Sequence, residues 1–235
     1  MCIEVSLNKT DLEIEDFFDA YFRVMCEYEP YSYRTALGFP NLYIIPQHDP
    51  DGIWPAHWGF IPANESDNIL SFRQQYNLHA ISIDQFLNLK YNKPSLNFGR
   101  CLILADGFYL SELRAGNKNR KIWKVTNGDG VKGKLFAFAG IYSLIDEELF
   151  SCCIITNPAN KNVIPLEREI PFILDDTFRK EWLLEDFTEA ALKSLLQFGF
   201  TKDRLKVKSY KGTAMYREEI HSYKKIVATQ LKRKM

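Results

Sequence analysis

The order of the secondary-structure elements indicated by the hydrophobic pattern is what most restricts the fold of this chain. Short apolar or alternating runs predict strands, and most follow one another without the intervening helices that a regular βαβ fold requires. The predicted strands are Ile3–Leu7, Leu42–Ile45, Leu78–Ile83, Arg100–Tyr109, Lys134–Tyr142, Ser151–Thr156, Ile170–Leu174 and Arg204–Tyr210. This order predicts an α+β fold with a mainly antiparallel, barrel-like sheet and peripheral helices.

Helices are predicted near the two ends of this series of strands. Thr10 to Glu13 forms a capping box, and apolar and aromatic residues at helical spacing follow it as far as Met25. Towards the C-terminus, Thr177–Leu184 and Thr188–Gln197 also have helical patterns. We expect these helices to pack on the outside of the sheet.

Three stretches between the predicted elements are expected to be loops. Tyr28–Tyr33 is polar and aromatic, and Asn64–Asn77 is mostly polar. Trp54–Pro62 contains two tryptophans with Gly59 and two prolines, which is typical of a rigid aromatic loop. Such a loop either fills the edge of a core or offers a stacking platform to a nucleic-acid base.

Length and charge limit the classes of protein to consider. The 235 residues are predicted to form a single domain, 1–235, with a basic C-terminal tail from about residue 216. Because the formal net charge is zero, a nucleic-acid site would have to be a local basic patch. The charged N-terminal segment does not resemble a signal peptide, and no apolar run has the length of a membrane span. We therefore expect a cytoplasmic protein that does not enter a membrane.

The cysteine pattern favours reduced thiols over a disulfide framework. The chain has five cysteines, an odd number, and Cys152 and Cys153 are adjacent. Adjacent cysteines are awkward to place in a set of paired disulfides, and reduced thiols are typical of the cytosol.

Cys2 is a candidate nucleophile because of its position. If Met1 is removed, Cys2 carries a free α-amine, which titrates near ~8, beside a thiol that titrates near ~8.5. Such an amine condenses with an aldehyde to a Schiff base, and the thiol then closes on the imine carbon to give a thiazolidine. On the first two residues alone, an unremarkable cysteine beside the start site remains the favoured alternative.

An ordered set of sequence blocks changes that balance. The blocks resemble the SRAP (SOS response-associated peptidase) family, whose members process abasic sites in single-stranded DNA. The likeness covers roughly Cys2 to Tyr210. The matching blocks are Met1-Cys2, Trp58–Pro62, Arg100–Tyr109, Phe136–Gly140, Ile154–Thr156 with Ala159-Asn160, and Ile170–Leu174 followed by Glu181–Leu183.

The resemblance implies a specific activity and a set of site residues. It implies that the N-terminal cysteine attacks the ring-opened aldehyde of an abasic site, forms a thiazolidine crosslink and so shields the lesion. It also implies that the fold processes its own N-terminus, as a peptidase does, and that the protein responds to DNA damage. The expected partner is single-stranded DNA containing abasic sites, bound by a monomer without metal or cofactor. The implied catalytic residues are Cys2, His79, Glu167 and Glu112, and the implied DNA-binding residues are Trp58, Arg34, Arg168 and Pro40.

At the acid–base positions this chain departs from the family pattern. His79 stands where the family has asparagine, Leu110 where it has glutamate, and Glu167 where it has histidine. The nearest acid to Leu110 is Glu112, which lies on the same strand face if the strand continues. His79 and Glu167 are expected to share the acid–base role if they converge on Cys2.

At the phosphate-binding positions the chain has lost positive charge. Ile81 and Glu169 stand where the family has arginines. Arg168 is adjacent to Glu169, but on a strand it faces the other way. Since each lost cation removes a counterion-release contribution, we expect these exchanges to weaken DNA binding more than thiazolidine closure.

Three functions stay open on the sequence. The first is abasic-site crosslinking. The second is a diverged family member that keeps the fold without efficient crosslinking and binds another ligand or partner in the same cleft. The third is an N-terminal-nucleophile peptidase or amidase that acts on something other than DNA.

Overall fold

A computed structural model describes most of the chain up to Tyr210. It covers residues 4–23, 28–76, 78–92, 98–112, 121–128, 134–146, 149–159, 169–184, 190, 192, 194–195 and 205–210, with the backbone alone for 91, 92, 111, 112 and 121. The strands are β1 (Glu4–Leu7), β2 (Tyr21–Phe22), β3 (Tyr31–Thr35), β4 (Asn41–Pro46), β5 (Gly52–Trp58), β6 (Ala80–Ser82), β7 (Gly99–Ala105), β8 (Gly107–Glu112), β9 (Lys121–Asn127), β10 (Phe136–Asp146), β11 (Leu149–Pro158), β12 (Glu169–Pro171), β13 (Ile173–Leu174) and β14 (Leu205–Tyr210). The helices are α1 (Asp11–Phe18), a 3₁₀ helix (Ala63–Asn68), α2 (Ile69–Gln75), α3 (Ile83–Asn92) and α4 (Arg179–Leu183).

Five strands form a closed circuit at the centre of the molecule. The hydrogen-bonded order is β11-β10-β7-β4-β5, and β5 pairs again with β11. All of these pairings are antiparallel except β5 with β11. The α+β class and the barrel-like antiparallel sheet expected from the sequence are therefore confirmed.

Four of the five barrel strands, β4, β7, β10 and β11, are buried on both faces along most of their length, whereas β5 is only partly buried. In β10 every residue from Phe136 to Ser143 is buried, and in β11 every residue from Phe150 to Thr156. Such strands give continuous apolar runs rather than an alternating pattern, which explains why Lys134–Tyr142 and Ser151–Thr156 were predictable.

A second, five-stranded sheet holds the beginning of the described chain. Its order is β14-β9-β8-β1-β3, and Glu4 lies between Thr35 of β3 and Tyr109 of β8. The turn at Asp106 and Gly107 joins the two sheets, and buried Asp106 accepts hydrogen bonds from the Ser6 hydroxyl (2.5 Å) and the Asn8 backbone amide (3.1 Å). These contacts hold the end of β1 against the turn between β7 and β8.

The first helix is shorter than predicted. The capping box at Thr10 and Glu13 is confirmed, but the helix ends at Phe18 because Asp19 takes the left-handed conformation (φ 55°). Tyr21 and Phe22 then pair with β5 as a short strand. The aromatic spacing that continues the helical pattern past Phe18 is therefore a misleading signal.

Two of the three predicted loops are correct in part. Tyr28–Pro30 and Gly59–Pro62 lie outside the strands, but the rest of these stretches belongs to β3 and β5. The loop predicted over Asn64–Asn77 is wrong, because this segment contains most of the 3₁₀ helix and all of α2. Pro55 is tolerated within β5 because it lies where the strand changes partner, between the residues that pair with β2 and those that pair with β11.

The later elements agree better with the sequence. The strands expected around Ile170–Leu174 and Arg204–Tyr210 are present as β12, β13 and β14, and the first C-terminal helix is present as α4. Most of Thr188–Gln197 and the tail from about residue 216 lie outside the described residues. In the described part of the chain, every helix is too short or too polar to cross a membrane.

Candidate functional site

His79, one of the predicted catalytic residues, is held firmly at the edge of the barrel. It directly precedes β6, and its carbonyl oxygen accepts hydrogen bonds from the Trp58 indole (3.0 Å) and the Ile154 amide (3.1 Å). The imidazole packs edge-on against Phe39, with ring centroids 5.3 Å apart and an interplanar angle of 85°. Backbone and ring are therefore both fixed in position.

The His79 imidazole is neutral at physiological pH. Burial, followed by the positive charge of Arg73, lowers the pKa of His79 to about 4. Its Nδ1 atom is buried and has no hydrogen-bond partner among the described residues. A neutral ring with an unused nitrogen is suited to exchange a hydrogen bond with a bound molecule.

Two further residues beside His79 were missed by the sequence analysis. Arg73 of α2 places its guanidinium carbon 4.2 Å from the centroid of the Phe39 ring. His57 of β5 forms a hydrogen bond with the Phe39 backbone, and its pKa is lowered by burial and by Arg73. Neither residue belongs to a recognisable motif, and Arg73 falls in a segment that the sequence predicted to be a loop.

Arg73 and His57 both present buried nitrogen atoms that the described protein does not use. Nε and Nη2 of Arg73 and Nδ1 of His57 have no hydrogen-bond partner there. Burial lowers the pKa of Arg73, but an arginine keeps its charge at neutral pH. Together with His79 and Phe39, these residues form what we call the Phe39 cluster.

Gly59 allows the chain to pass this cluster closely. Its φ of +134° is a conformation that other residues rarely adopt. A Cβ atom at this position would lie 2.8 Å from the Phe39 ring and 3.5 Å from Nδ1 of His79. The glycine is therefore required both by the backbone and by the space that Phe39 and His79 occupy.

The exposed aromatic platform suggested for Trp58 is not present. Trp58 has no exposed surface, and its indole N–H donates to the His79 carbonyl. It ends a strand of the closed barrel, which buries the ring in the main core. Trp58 thus supports the backbone of His79 from within the core. The predicted role of Trp58 in stacking on a DNA base is corrected to this supporting role.

Arg34 and Pro40 lie next to the Phe39 cluster along the chain and in space. The Arg34 guanidinium packs 3.7 Å from the centroid of the Tyr31 ring and donates to the Asn41 carbonyl (2.6 Å). Asn41 is the register partner of His57, which places Arg34 near the cluster. The Pro40 carbonyl accepts from the Trp58 amide at 2.8 Å.

The residues at positions where the chain departs from the family pattern have different surroundings. Ile81 and Leu110 are buried in the core, with 4% and 5% of their surface exposed. The Glu169 carboxylate accepts a hydrogen bond from Thr156 (2.9 Å). β8 continues to Glu112, whose backbone lies opposite that of Lys121 in β9. In the described ranges no three His, Cys, Asp or Glu side chains are arranged to hold a metal ion.

Cys2, Glu167 and Arg168 lie outside the described residues, so their predicted roles stay predictions. Cys101, Cys152 and Cys153 are buried free thiols, and burial raises the pKa of each. A buried thiol with a raised pKa is a poor nucleophile, so none of these three is a candidate nucleophile.

Comparison with known proteins gives consistent results. The family model of the SOS response associated peptidase (SRAP) matches residues 1–211. The chain is 31% identical over 206 residues to the abasic site processing protein YoqW of Bacillus subtilis, covering 84% of this chain and 87% of YoqW. It is 28% identical over 159 residues to the abasic site processing protein HMCES of Gallus gallus, covering 60% of this chain and 47% of HMCES.

Solved structures share the fold. A protein from Bacteroides thetaiotaomicron matches with a TM-score of 0.69 at 19% identity, covering 89% of this chain and 92% of that protein. A phage-related protein from Bordetella bronchiseptica matches with a TM-score of 0.63 at 15% identity, covering 88% and 93% of the two chains.

Proposed function

The chain belongs to the SOS response associated peptidase (SRAP) family, and we propose that it processes abasic sites in single-stranded DNA by forming a covalent crosslink through Cys2. Relatives that are 31% and 28% identical to this chain carry the name abasic site processing protein. The chemistry of an N-terminal cysteine provides an independent reason to expect an aldehyde as the reacting group.

The proposed reaction joins protein and DNA with the loss of one water molecule. After Met1 is removed, the α-amine of Cys2 attacks the ring-opened aldehyde carbon of the abasic sugar, and the resulting carbinolamine loses water to form an imine. The Cys2 thiolate then attacks the imine carbon, the imine nitrogen takes up a proton, and a thiazolidine ring closes. No oxidant, reductant or metal is consumed in this sequence.

The position of β1 is the observation that carries the proposal. Glu4 pairs with Thr35, four residues before Phe39, which contacts His79. Cys2 is two residues before Glu4 in the sequence, and two residues of extended chain span at most about 7 Å. The amine and thiol are thus tethered to β1, which pairs with β3, the strand that precedes Phe39.

His79 is proposed to orient the reacting groups rather than to store their protons. With a pKa of about 4, its ring is neutral at pH 7 and carries only one of the two protons of the imidazolium. Its unused nitrogen is suited to a hydrogen bond with the Cys2 amine or with the carbinolamine hydroxyl. The proton transfers themselves are assigned to Glu167 and Glu112, which the family resemblance proposes for this role.

Single-stranded DNA is the proposed substrate form. The abasic sugar must leave the stack to reach the N-terminal cysteine, and unstacking costs a few kcal/mol in a duplex. The formal net charge is zero, so little long-range attraction offsets that cost. Arg34, which lies beside the cluster, and Arg168 are proposed to contact the strand.

Crosslinking to an abasic oligonucleotide without a reducing agent tests the proposal. The wild type should give a band on a denaturing gel with the single-stranded abasic substrate and much less with its duplex or with an intact strand. Cys2→Ala should give none, whereas the buried-thiol control Cys101→Ala should crosslink if it folds. A Cys2→Ala protein that still crosslinks would overturn the proposal.

A diverged family member without efficient crosslinking is the second candidate. It is favoured by Ile81 and Leu110, which are buried core residues at positions where the family pattern has an arginine and a glutamate. The same experiment separates the two functions. A wild type with free, mature Cys2 that forms no crosslink between pH 5 and 8 would favour the diverged member.

A further inference from the structure

The Phe39 cluster holds positive charge and unused nitrogen atoms in a partly buried place. Burying a polar group without a partner costs about 1–3 kcal/mol, and more for a charged group. Arg73 has two such atoms and His57 one. No described carboxylate forms an ion pair with Arg73, so its charge is not balanced within the described protein.

The free atoms of Arg73 are arranged to bind an oxyanion. Nε and Nη2 form one edge of the planar guanidinium, and a phosphate or carboxylate accepts from such an edge through two parallel hydrogen bonds. Phe39 lies against the guanidinium at 4.2 Å, which holds the plane while leaving this edge unused.

His57 adds an adjustable second contact. The hydrogen bond to the Phe39 backbone leaves Nδ1 as the unused ring nitrogen. In the neutral ring Nδ1 is then an acceptor, and protonation turns it into a donor. A bound anion favours the protonated form of His57, whereas Arg73 and burial oppose it while the site is empty.

We propose that Arg73 and His57 form a phosphate-binding subsite that takes a phosphodiester group next to the abasic sugar. The inference rests on the proposed function and deepens it. Buried Ile81 of β6 stands where the family pattern has an arginine, so that position supplies no positive charge. Arg73 supplies a positive charge from α2 instead. Neither Arg73 nor His57 is among the positions that the family resemblance implies.

The salt dependence of binding to an intact single strand tests the subsite. Each phosphate contact on a single strand contributes about −0.7 to the slope of log K against log salt. Arg73→Ala should therefore make the slope less steep by about 0.7 and weaken binding by roughly tenfold or more at low salt. Arg73→Lys should keep most of the slope while losing affinity, because the two-pronged geometry is gone.

Arg23→Ala is the matched control, because it removes the same unit of charge. Arg23 is exposed and already paired with Asp49 (2.9 Å), so its loss should leave the slope unchanged. A slope for Arg73→Ala equal to that of Arg23→Ala would overturn the subsite. That result would leave the proposed crosslinking intact if the wild type still reacts.

Inorganic phosphate provides a probe that does not depend on DNA. Titration followed by NMR of the histidine rings should shift His57 and raise its pKa in the wild type and in Arg23→Ala, but not in Arg73→Ala. Phosphate binding without any DNA binding would support the subsite and contradict the proposed function. Absence of both in a folded wild type would overturn both.

Discussion

The contribution of buried Trp58 to stability, and of its hydrogen bond to His79, can be measured by substitution. Its side chain has no exposed surface and packs in the core of the closed barrel. Replacing a buried tryptophan by alanine removes its apolar surface and leaves a cavity, which typically costs 3–5 kcal/mol, here about 4 kcal/mol. For a protein of this length about 1 kcal/mol shifts Tm by 2–4 °C, so Trp58→Ala should lower Tm by roughly 6–20 °C.

Trp58→Phe separates the hydrogen bond from the packing. This change removes the indole N–H but keeps an aromatic ring, and the His79 carbonyl retains its bond from Ile154. We expect a loss of about 1 kcal/mol for the hydrogen bond and a smaller loss from the reduced volume, or roughly 2–6 °C in Tm.

Thermal and chemical denaturation followed by circular dichroism measures both variants. Leu70→Ala serves as the control, because Leu70 is 66% exposed on α2 and its loss should change stability by less than about 0.5 kcal/mol. If Trp58→Ala melts within 2 °C of the wild type (below the ~2–4 °C expected for 1 kcal/mol) and chiefly weakens DNA binding, the buried position is wrong and the exposed platform is right.

Three further changes test the surroundings of the site. Burial and Arg73 lower the pKa of His79 from 6.5 to about 4. As the pH falls from 6.5 to 4, His79 is therefore protonated in the unfolded chain but stays neutral in the folded protein, so the folded protein loses stability. His79→Gln should remove that loss of stability, up to about 3 kcal/mol between pH 7 and 4 in urea titrations, and unchanged pH dependence would contradict the burial. Gly59→Ala should destabilise by about 1–3 kcal/mol, since φ is +134° and its Cβ meets Phe39; an unaltered urea midpoint would argue against this geometry. Leu110→Glu should destabilise by several kcal/mol rather than restore activity, because a carboxylate would be buried there; a stable, faster-crosslinking variant would show that the side chain reaches the reaction site.

Four of the five barrel strands were predictable because they are buried on both faces, whereas β5 is only partly buried and was expected to be a loop. Runs such as those around Phe138 and Ile154 are continuous and apolar, and turn signals bound them, so local pattern and tertiary structure agree. The first helix was overextended because Asp19 adopts a left-handed conformation that no spacing rule detects. The apolar residues keep helical spacing beyond Phe18, although the helix ends there.

The site was only partly predictable, because it depends on contacts between distant segments. His79 was found through a family motif, and its neutral state follows from burial and from Arg73. Arg73 and His57 lie on α2 and β5, in stretches expected to be loops, and they meet at Phe39 only through the fold. Tertiary packing also turned Trp58 inward, which is the first of the two alternatives that its Gly- and Pro-rich surroundings left open.

Intact mass spectrometry of the protein after reaction with a single-stranded abasic oligonucleotide, without reductant, tests the central claim most directly. We expect one adduct whose mass equals the protein without Met1 plus the oligonucleotide minus one water, with fragmentation placing the DNA on Cys2. The adduct should survive dilution, since a thiazolidine persists where a simple Schiff base hydrolyses. An adduct on a lysine, or no adduct when the N-terminus is mature Cys2, would contradict the account.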